Sequence, residues 1–329
     1  MQHNHRRQEQ SGGIVVPARS NYTKHQLAVL LMALAASLPA PSGICASALT
    51  GKVSGLQWIT FPDARLEVRG LPWLQENAPE LWRLPKSAQA DVPGPVWNRS
   101  LVPDGGRIRL TSDTTRMVIR VQAARPHTRP CMFDIFVDGE YTRSVSTAST
   151  QRVDLVCFER KYGKWKDITI YLPHMQEVRV FAVGLDAFAR VKTPPVFVLE
   201  RPMVCYGSSV LQGTGARHPA WTYPAVMARR LNLDFVNLGF GGAGKGEAEV
   251  VGLVNQLDAC CYLFDLGKSY GAAEPQRYTR MLDAIRASHP DVPIFCVTPI
   301  YSTKEKSDPA YKRRSEDLRS LMRQAVTDR

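Results

Sequence analysis

From Val196 onward, short apolar runs alternate with stretches of helical spacing, and few folds accommodate that order. Val196-Phe-Val-Leu199 and Met203-Val-Cys-Tyr206 read as strands, the second apolar enough to be buried on both faces. Residues 221–231 place Tyr223, Val226, Met227 and Leu231 on one helical side. Phe235-Val-Asn-Leu238 is the next strand, 248–257 a helix, 260–266 a strand, 276–288 a helix, 292–298 a strand and 309–326 a long final helix. Strict alternation of this kind predicts a parallel sheet covered on both faces. Such sheets carry their chemistry in loops at the carboxyl ends of the strands.

The preceding stretch follows a different grammar. Arg107-Ile-Arg-Leu-Thr111 and Arg116-Met-Val-Ile-Arg-Val121 alternate in polarity. Phe133-Asp-Ile-Phe-Val137 runs into Asp138-Gly139, a tight-turn dipeptide, and the chain restarts at Tyr141. Residues 167–172 and 177–183 are two more strand candidates, and no long helical period appears. These features predict an antiparallel β-sandwich over about 49–195, joined to the α/β part (196–329) at Lys192-Thr-Pro-Pro195. Trp73, Trp82 and Trp97 read as core or packing residues, with a sugar-stacking platform as the alternative.

Residues 1–48 read as an exported leader. Leu27–Ala36 is an apolar run preceded by Arg19 and Lys24, broken by Pro39 and Pro41, and followed by the small residues Ala46-Ser47-Ala48. Cleavage near Ala48 would send the chain to the periplasm or the exterior. No apolar run reaches the roughly 18 residues of a membrane span. The 329 residues carry 42 Lys+Arg against 30 Asp+Glu, a net charge of +12, but the acids are interleaved with the bases. The densest basic run, Lys312-Arg313-Arg314, is followed at once by Glu316 and Asp317, so a solvated helix face is expected rather than a nucleic-acid site. Cys205, Cys260, Cys261 and Cys296 sit in apolar runs as small core residues, and no C-x-x-C spacing suggests zinc or thiol redox chemistry.

Two loops carry the candidate chemistry. Tyr206-Gly-Ser-Ser-Val-Leu-Gln-Gly213 runs from a buried strand into a hydroxyl pair, where a helix start would aim backbone N–H groups at a developing oxyanion. On its own, this segment is also what a serine helix cap looks like. Asn237-Leu-Gly-Phe-Gly-Gly-Ala-Gly244 is glycine-rich, so its backbone can approach a ligand closely. Gly244-Lys245-Gly246 lacks the spacing and hydroxyl of a phosphate loop.

Together these loops resemble the SGNH/GDSL hydrolase superfamily, in its GDSL-like lipase/acylhydrolase branch with an N-terminal β-sandwich. That branch carries Y-G-S-S-I-T-Q-G against YGSSVLQG at 206–213 here, and Phe133-Asp-Ile-Phe-Val-Asp-Gly139 is similar to its G-x-D-L-Y-V-D-G hallmark. The resemblance covers about Val53 to Arg329. It implies a flavodoxin-like three-layer α/β/α domain after a jelly-roll-like sandwich. It also implies ester hydrolysis without metal or organic cofactor, on a small-molecule or carbohydrate ester. Ser209 stands at the nucleophile and Gly242 at the glycine whose N–H joins the oxyanion hole. Ser269, in Asp265-Leu-Gly-Lys-Ser269, stands where the branch has an oxyanion Asn.

The family draws its base and acid from a D-x-x-H element after the last strand. No D-x-x-H occurs in these 329 residues, so the resemblance implies a C-terminally truncated hydrolase, lacking the last strand and helix and inactive as it stands. His218 is the one substitute base the loops offer, though a surface histidine is the plainer reading. A decayed carbohydrate- or envelope-binding protein is the competing function.

Overall fold

The computed structural model describes residues 55–271 and 275–327; the expected leader and cleavage near Ala48 lie outside them. The N-terminal part is built from two antiparallel sheets. One has the order β1 (Leu56–Thr60), β9 (Val178–Asp186), β4 (Arg116–Ala123) and β7 (Val153–Glu159). The other runs β10 (Val191–Lys192), β3 (Arg107–Ser112), β8 (Lys166–Tyr171), β5 (Cys131–Val137) and β6 (Glu140–Thr147), with β2 (Glu67–Arg69) also on β3. Asp138 and Gly139 join β5 to β6 with φ of 53° and 80°, the left-handed pair that a two-residue hairpin turn requires. Between the sheets lies a core of Ile, Val, Leu and Phe side chains from every second strand position.

The C-terminal part is a parallel sheet in the order β12 (Phe235–Gly239), β11 (Met203–Gly207), β13 (Cys261–Asp265), β14 (Ile294–Cys296). Every residue of β11, β12 and β13 is buried, as expected for strands covered on both faces. Helices Tyr223–Leu231, Ala248–Asn255, Pro275–Ser288 and Pro309–Thr327 alternate with them. The chain is thus an antiparallel sandwich followed by a three-layer α/β unit. Cys131, Cys157, Cys205 and Cys261 are buried free thiols. No described helix is long and apolar enough to cross a membrane.

Two parts of the sequence reading need correction. Val196-Phe-Val-Leu199 is not a strand. It crosses the joint as coil, with Val196 85% exposed and the ring of Phe197 lying 4.1 Å under the Arg109 guanidinium. Its apolar character serves a cation–π contact rather than a sheet. The second correction concerns residues 71–105, which are not sandwich strands but a string of short helices, including Leu74–Asn77 and Gly94–Ser100. Leu84, Val92, Val96 and Trp97 from this string sit in the α/β core, with Trp73 and Trp82 packed against it. Trp82 and Trp97 meet edge-on at 5.6 Å, so these two tryptophans pack against each other.

Candidate active site

The turn after β11 is shaped by a collision that only glycine avoids. β11 ends at Gly207, where a Cβ would overlap the Asp265 carbonyl of β13, at 2.5 Å from its carbon. The Ser208 N–H donates to the Asp265 carbonyl at 2.9 Å, and the chain turns into the short helix Ser209–Gln212. Ser208 is 1% exposed, and its Oγ faces Gly267. Ser209 is only half-buried. Of the adjacent hydroxyls, Ser209 is the accessible one.

The glycine-rich loop closes over this turn. Phe240 N–H donates to the Gly207 carbonyl at 2.8 Å, and a Cβ on Gly244 would lie 2.8 Å from the Gly207 carbonyl carbon. A Cβ on Gly241 would meet the Ser209 Cβ at 3.4 Å, so this loop lies directly against the serine. Gly242 has φ +75° with open space beside it. Among the described residues, neither the Ser209 N–H nor the Gly242 N–H has a hydrogen-bond partner. Two unpaired donors beside a reachable hydroxyl are what an oxyanion site provides.

Ser208, Ser209, Asp265, Lys268, Ser269 and Tyr311 line a cleft of about 430 Å³ with Ile300 and Tyr301. Ser269 is therefore brought to Ser209. Lys268 is held back by Glu305, with Nζ 2.5 Å from Oε1, while Arg319 grips the same carboxylate through two contacts of 2.9 Å. Those hydrogen bonds from Arg319 and Lys268 hold the Glu305 carboxyl at about 2.

The structure places His218 elsewhere. Its Nδ1 lies 3.1 Å from Asp134 Oδ1 and 3.0 Å from Ser144 Oγ, both on the sandwich, and it does not line the cleft. Nor do His127, His174 or His289, whose ring nitrogens contact the carbonyls of Glu177, Ala216 and Asn255. The described residues show no His/Cys/Asp/Glu group able to hold a metal.

Sequence reasoning missed the part played by Tyr223, whose hydroxyl donates to Asp265 Oδ2 at 2.8 Å beneath the serine turn. Burial pushes the Asp265 carboxyl up to about 6, with the Tyr223 hydrogen bond opposing. A folded-state value above the ordinary 3.8 means that this group stabilises the fold below pH 4 and loses that contribution as pH rises through 6. The loss is on the order of 3 kcal/mol at most. Asp265→Asn mimics the neutral acid. Thermal melts from pH 4 to 7 should show wild type falling relative to the variant, and parallel curves would rule this out.

Residues 200–329 match the family model described as GDSL-like lipase/acylhydrolase family, and residues 56–191 match the N-terminus of SGNH hydrolase-type esterases. No curated protein matches the chain. Among solved structures, it is similar to a salicylyl-acyltransferase from a tetracycline biosynthetic pathway. That match has 24% identity and a TM-score of 0.73, covering 83% of this chain and 81% of that one. A putative GDSL-like lipase from Bacteroides ovatus matches at 20% identity and TM-score 0.69, covering 83% and 82%. An acetyl xylan esterase from Butyrivibrio proteoclasticus matches at 11% and 0.56, covering 84% and 86%. Both matches and their order agree with the site just described: residues 200–329 belong to the GDSL-like lipase/acylhydrolase family, preceded at 56–191 by the N-terminal domain of SGNH hydrolase-type esterases.

Proposed function

We propose that Ser209 is the nucleophile of an exported serine esterase that removes acyl groups from carbohydrate or other glycan-linked esters. The observation that carries the reading is the pair of unpaired backbone N–H groups, on Ser209 and Gly242, beside the one accessible hydroxyl at the end of β11. Ser209 Oγ would bond to the ester carbonyl carbon as the carbonyl electrons move onto oxygen. The two N–H groups would hold that oxygen, with the Ser269 hydroxyl as a shorter donor in place of an amide. Collapse expels the alcohol and leaves an acyl-serine for water to hydrolyse. Proton removal from Ser209 needs a base, and no described histidine lines the cleft.

The carbohydrate part rests on the fold shared with the acetyl xylan esterase and with a family two carbohydrate esterase from Cellvibrio japonicus (TM-score 0.55). Export rests on the apolar Leu27–Ala36 run and Ala46-Ser-Ala48. The second reading, a binding protein with a decayed site, is favoured by Ser269 in the oxyanion position and by the histidine-free cleft.

One experiment separates the two readings. The protein is treated with a fluorophosphonate, with and without imidazole as an external base small enough for the cleft, and mapped by mass spectrometry. Modification at Ser209 in either condition is expected, with a mature N-terminus near Leu49. Modification at Ser208 instead, or none even with imidazole, would overturn the esterase reading, and an intact Met1 would overturn export.

A further inference from the structure

A buried ionic chain runs from the N-terminal domain to the glycine-rich loop. Arg83 and Asp104 are both fully buried, and Arg83 Nη2 lies 3.1 Å from Asp104 Oδ2. Arg83 donates from Nε to the Val102 carbonyl at 2.9 Å, and from Nη1 to the carbonyls of Asn237 (2.8 Å) and Gly239 (2.7 Å) at the end of β12. Asp104 accepts from the Met175 N–H through Oδ1 at 2.6 Å and from Gln212 Nε2 through Oδ2 at 2.8 Å. Gln212 Oε1 in turn accepts the Gly241 N–H at 2.7 Å.

The direction of each bond is forced. An ionised carboxylate only accepts, so the Gln212 amide must present its NH₂ to Asp104. Its carbonyl oxygen must then face the loop, where it takes the Gly241 N–H. With Gly241 committed to Gln212, the next N–H, that of Gly242, is left for a ligand. We infer that Asp104 and Gln212 are positioning residues: the N-terminal domain sets the orientation of the oxyanion loop through them. The inference rests on the esterase reading and names a part of its machinery outside the α/β domain.

The test is a charge-swap cycle. Gln212→Glu sets two carboxylates against each other, and Asp104→Asn turns one of the two acceptor oxygens into a donor, so position 104 can no longer accept from both the Met175 N–H and Gln212. In the double variant, the amide introduced at position 104 can donate to the carboxylate introduced at position 212. The second oxygen of that carboxylate accepts the Gly241 N–H, and Arg83 keeps an anion nearby. Fluorophosphonate labelling of Ser209, run with imidazole, gives a maximal rate and a half-saturating concentration. Each single variant is expected to lower the maximal rate by about 10- to 100-fold with half-saturation unchanged, short of the loss from deleting a donor. The double variant is expected to return within about threefold of wild type, a coupling that a general loss of stability would not produce.

Amide exchange at Gly241 should quicken in the singles and recover in the double. Unchanged labelling in either single, or a double no better than the product of the singles, would overturn the inference. Wild-type protein that never labels at Ser209 would instead overturn the esterase reading, and the exchange at Gly241 would still show whether the relay orients the loop. If a single variant fails to fold, Gln212→Met, which keeps the side-chain length without the amide, takes its place, and unchanged labelling and unchanged Gly241 exchange in it would overturn the inference.

Discussion

Gly207→Ala is expected to destroy the folded α/β domain, not merely weaken it. The backbone at Gly207 is not in the left-handed region, so the cause is space alone. The added methyl would overlap the Asp265 carbonyl of the neighbouring strand, and the Gly207 carbonyl is itself pressed against Gly244. Three backbones meet at this point, and none has a side chain that can swing away. Overlap with rigid backbone belongs to the small class of substitutions costing more than about 4 kcal/mol. Gly242→Ala is the control: it has open space but φ +75°, and a strain of about 1–2 kcal/mol. Circular dichroism melts should show little cooperative unfolding for Gly207→Ala and a modest shift for Gly242→Ala. A Gly207→Ala protein melting within two or three degrees of wild type, on the order of 1 kcal/mol, would refute the argument.

The second large effect is expected at Arg83. Arg83→Met keeps most of the volume but strands the Asp104 carboxylate in an interior with no exposure. Burial pushes the Asp104 carboxyl up, and the Arg83 charge pulls it back down. Removing one partner of a buried pair costs about 3–5 kcal/mol, because the other charge stays buried. For a chain of this size, that corresponds to a melting temperature lower by roughly 6–20 °C. Arg83→Met/Asp104→Leu should recover only part of the loss, since the carbonyls of Val102, Asn237 and Gly239 still lack their donor. Denaturant titration is the measurement, and a cost below about 1 kcal/mol would show that the pair is not held as described.

The elements that were legible in the sequence are those written by local rules. Met203–Tyr206 is apolar throughout because both faces of β11 are covered, and Asp138-Gly139 marks its hairpin because few other pairs tolerate two positive φ angles. YGSSVLQG could be read because a strand, a turn and a helix start must follow each other within a few residues. What escaped was non-local or too short for a period. Leu74–Asn77 and Gly94–Ser100 span one or two turns, so neither shows a repeat. Arg83 is bonded to carbonyls 154 and 156 positions away, and no spacing announces such a partner. The Gln212 role had a signal, a buried amide inside the quoted block, but its orientation depends on Asp104, 108 positions earlier. Val196–Leu199 misled because an apolar run reads the same whether a strand or a guanidinium covers it.

The placement of residues 84–97 in the α/β core also matters while the protein is being made. Leu84, Val92, Val96 and Trp97 leave the ribosome before any strand of the sheet they pack on. At about 5–20 residues per second, the roughly one hundred intervening residues take about 5–20 s to emerge. For that interval the nascent chain carries an apolar patch, tryptophan included, with no native surface to cover it. Its partner is the part of the chain still to be translated, so this segment cannot reach its native packing until that part emerges, and the patch is the segment a holding chaperone would have to shield.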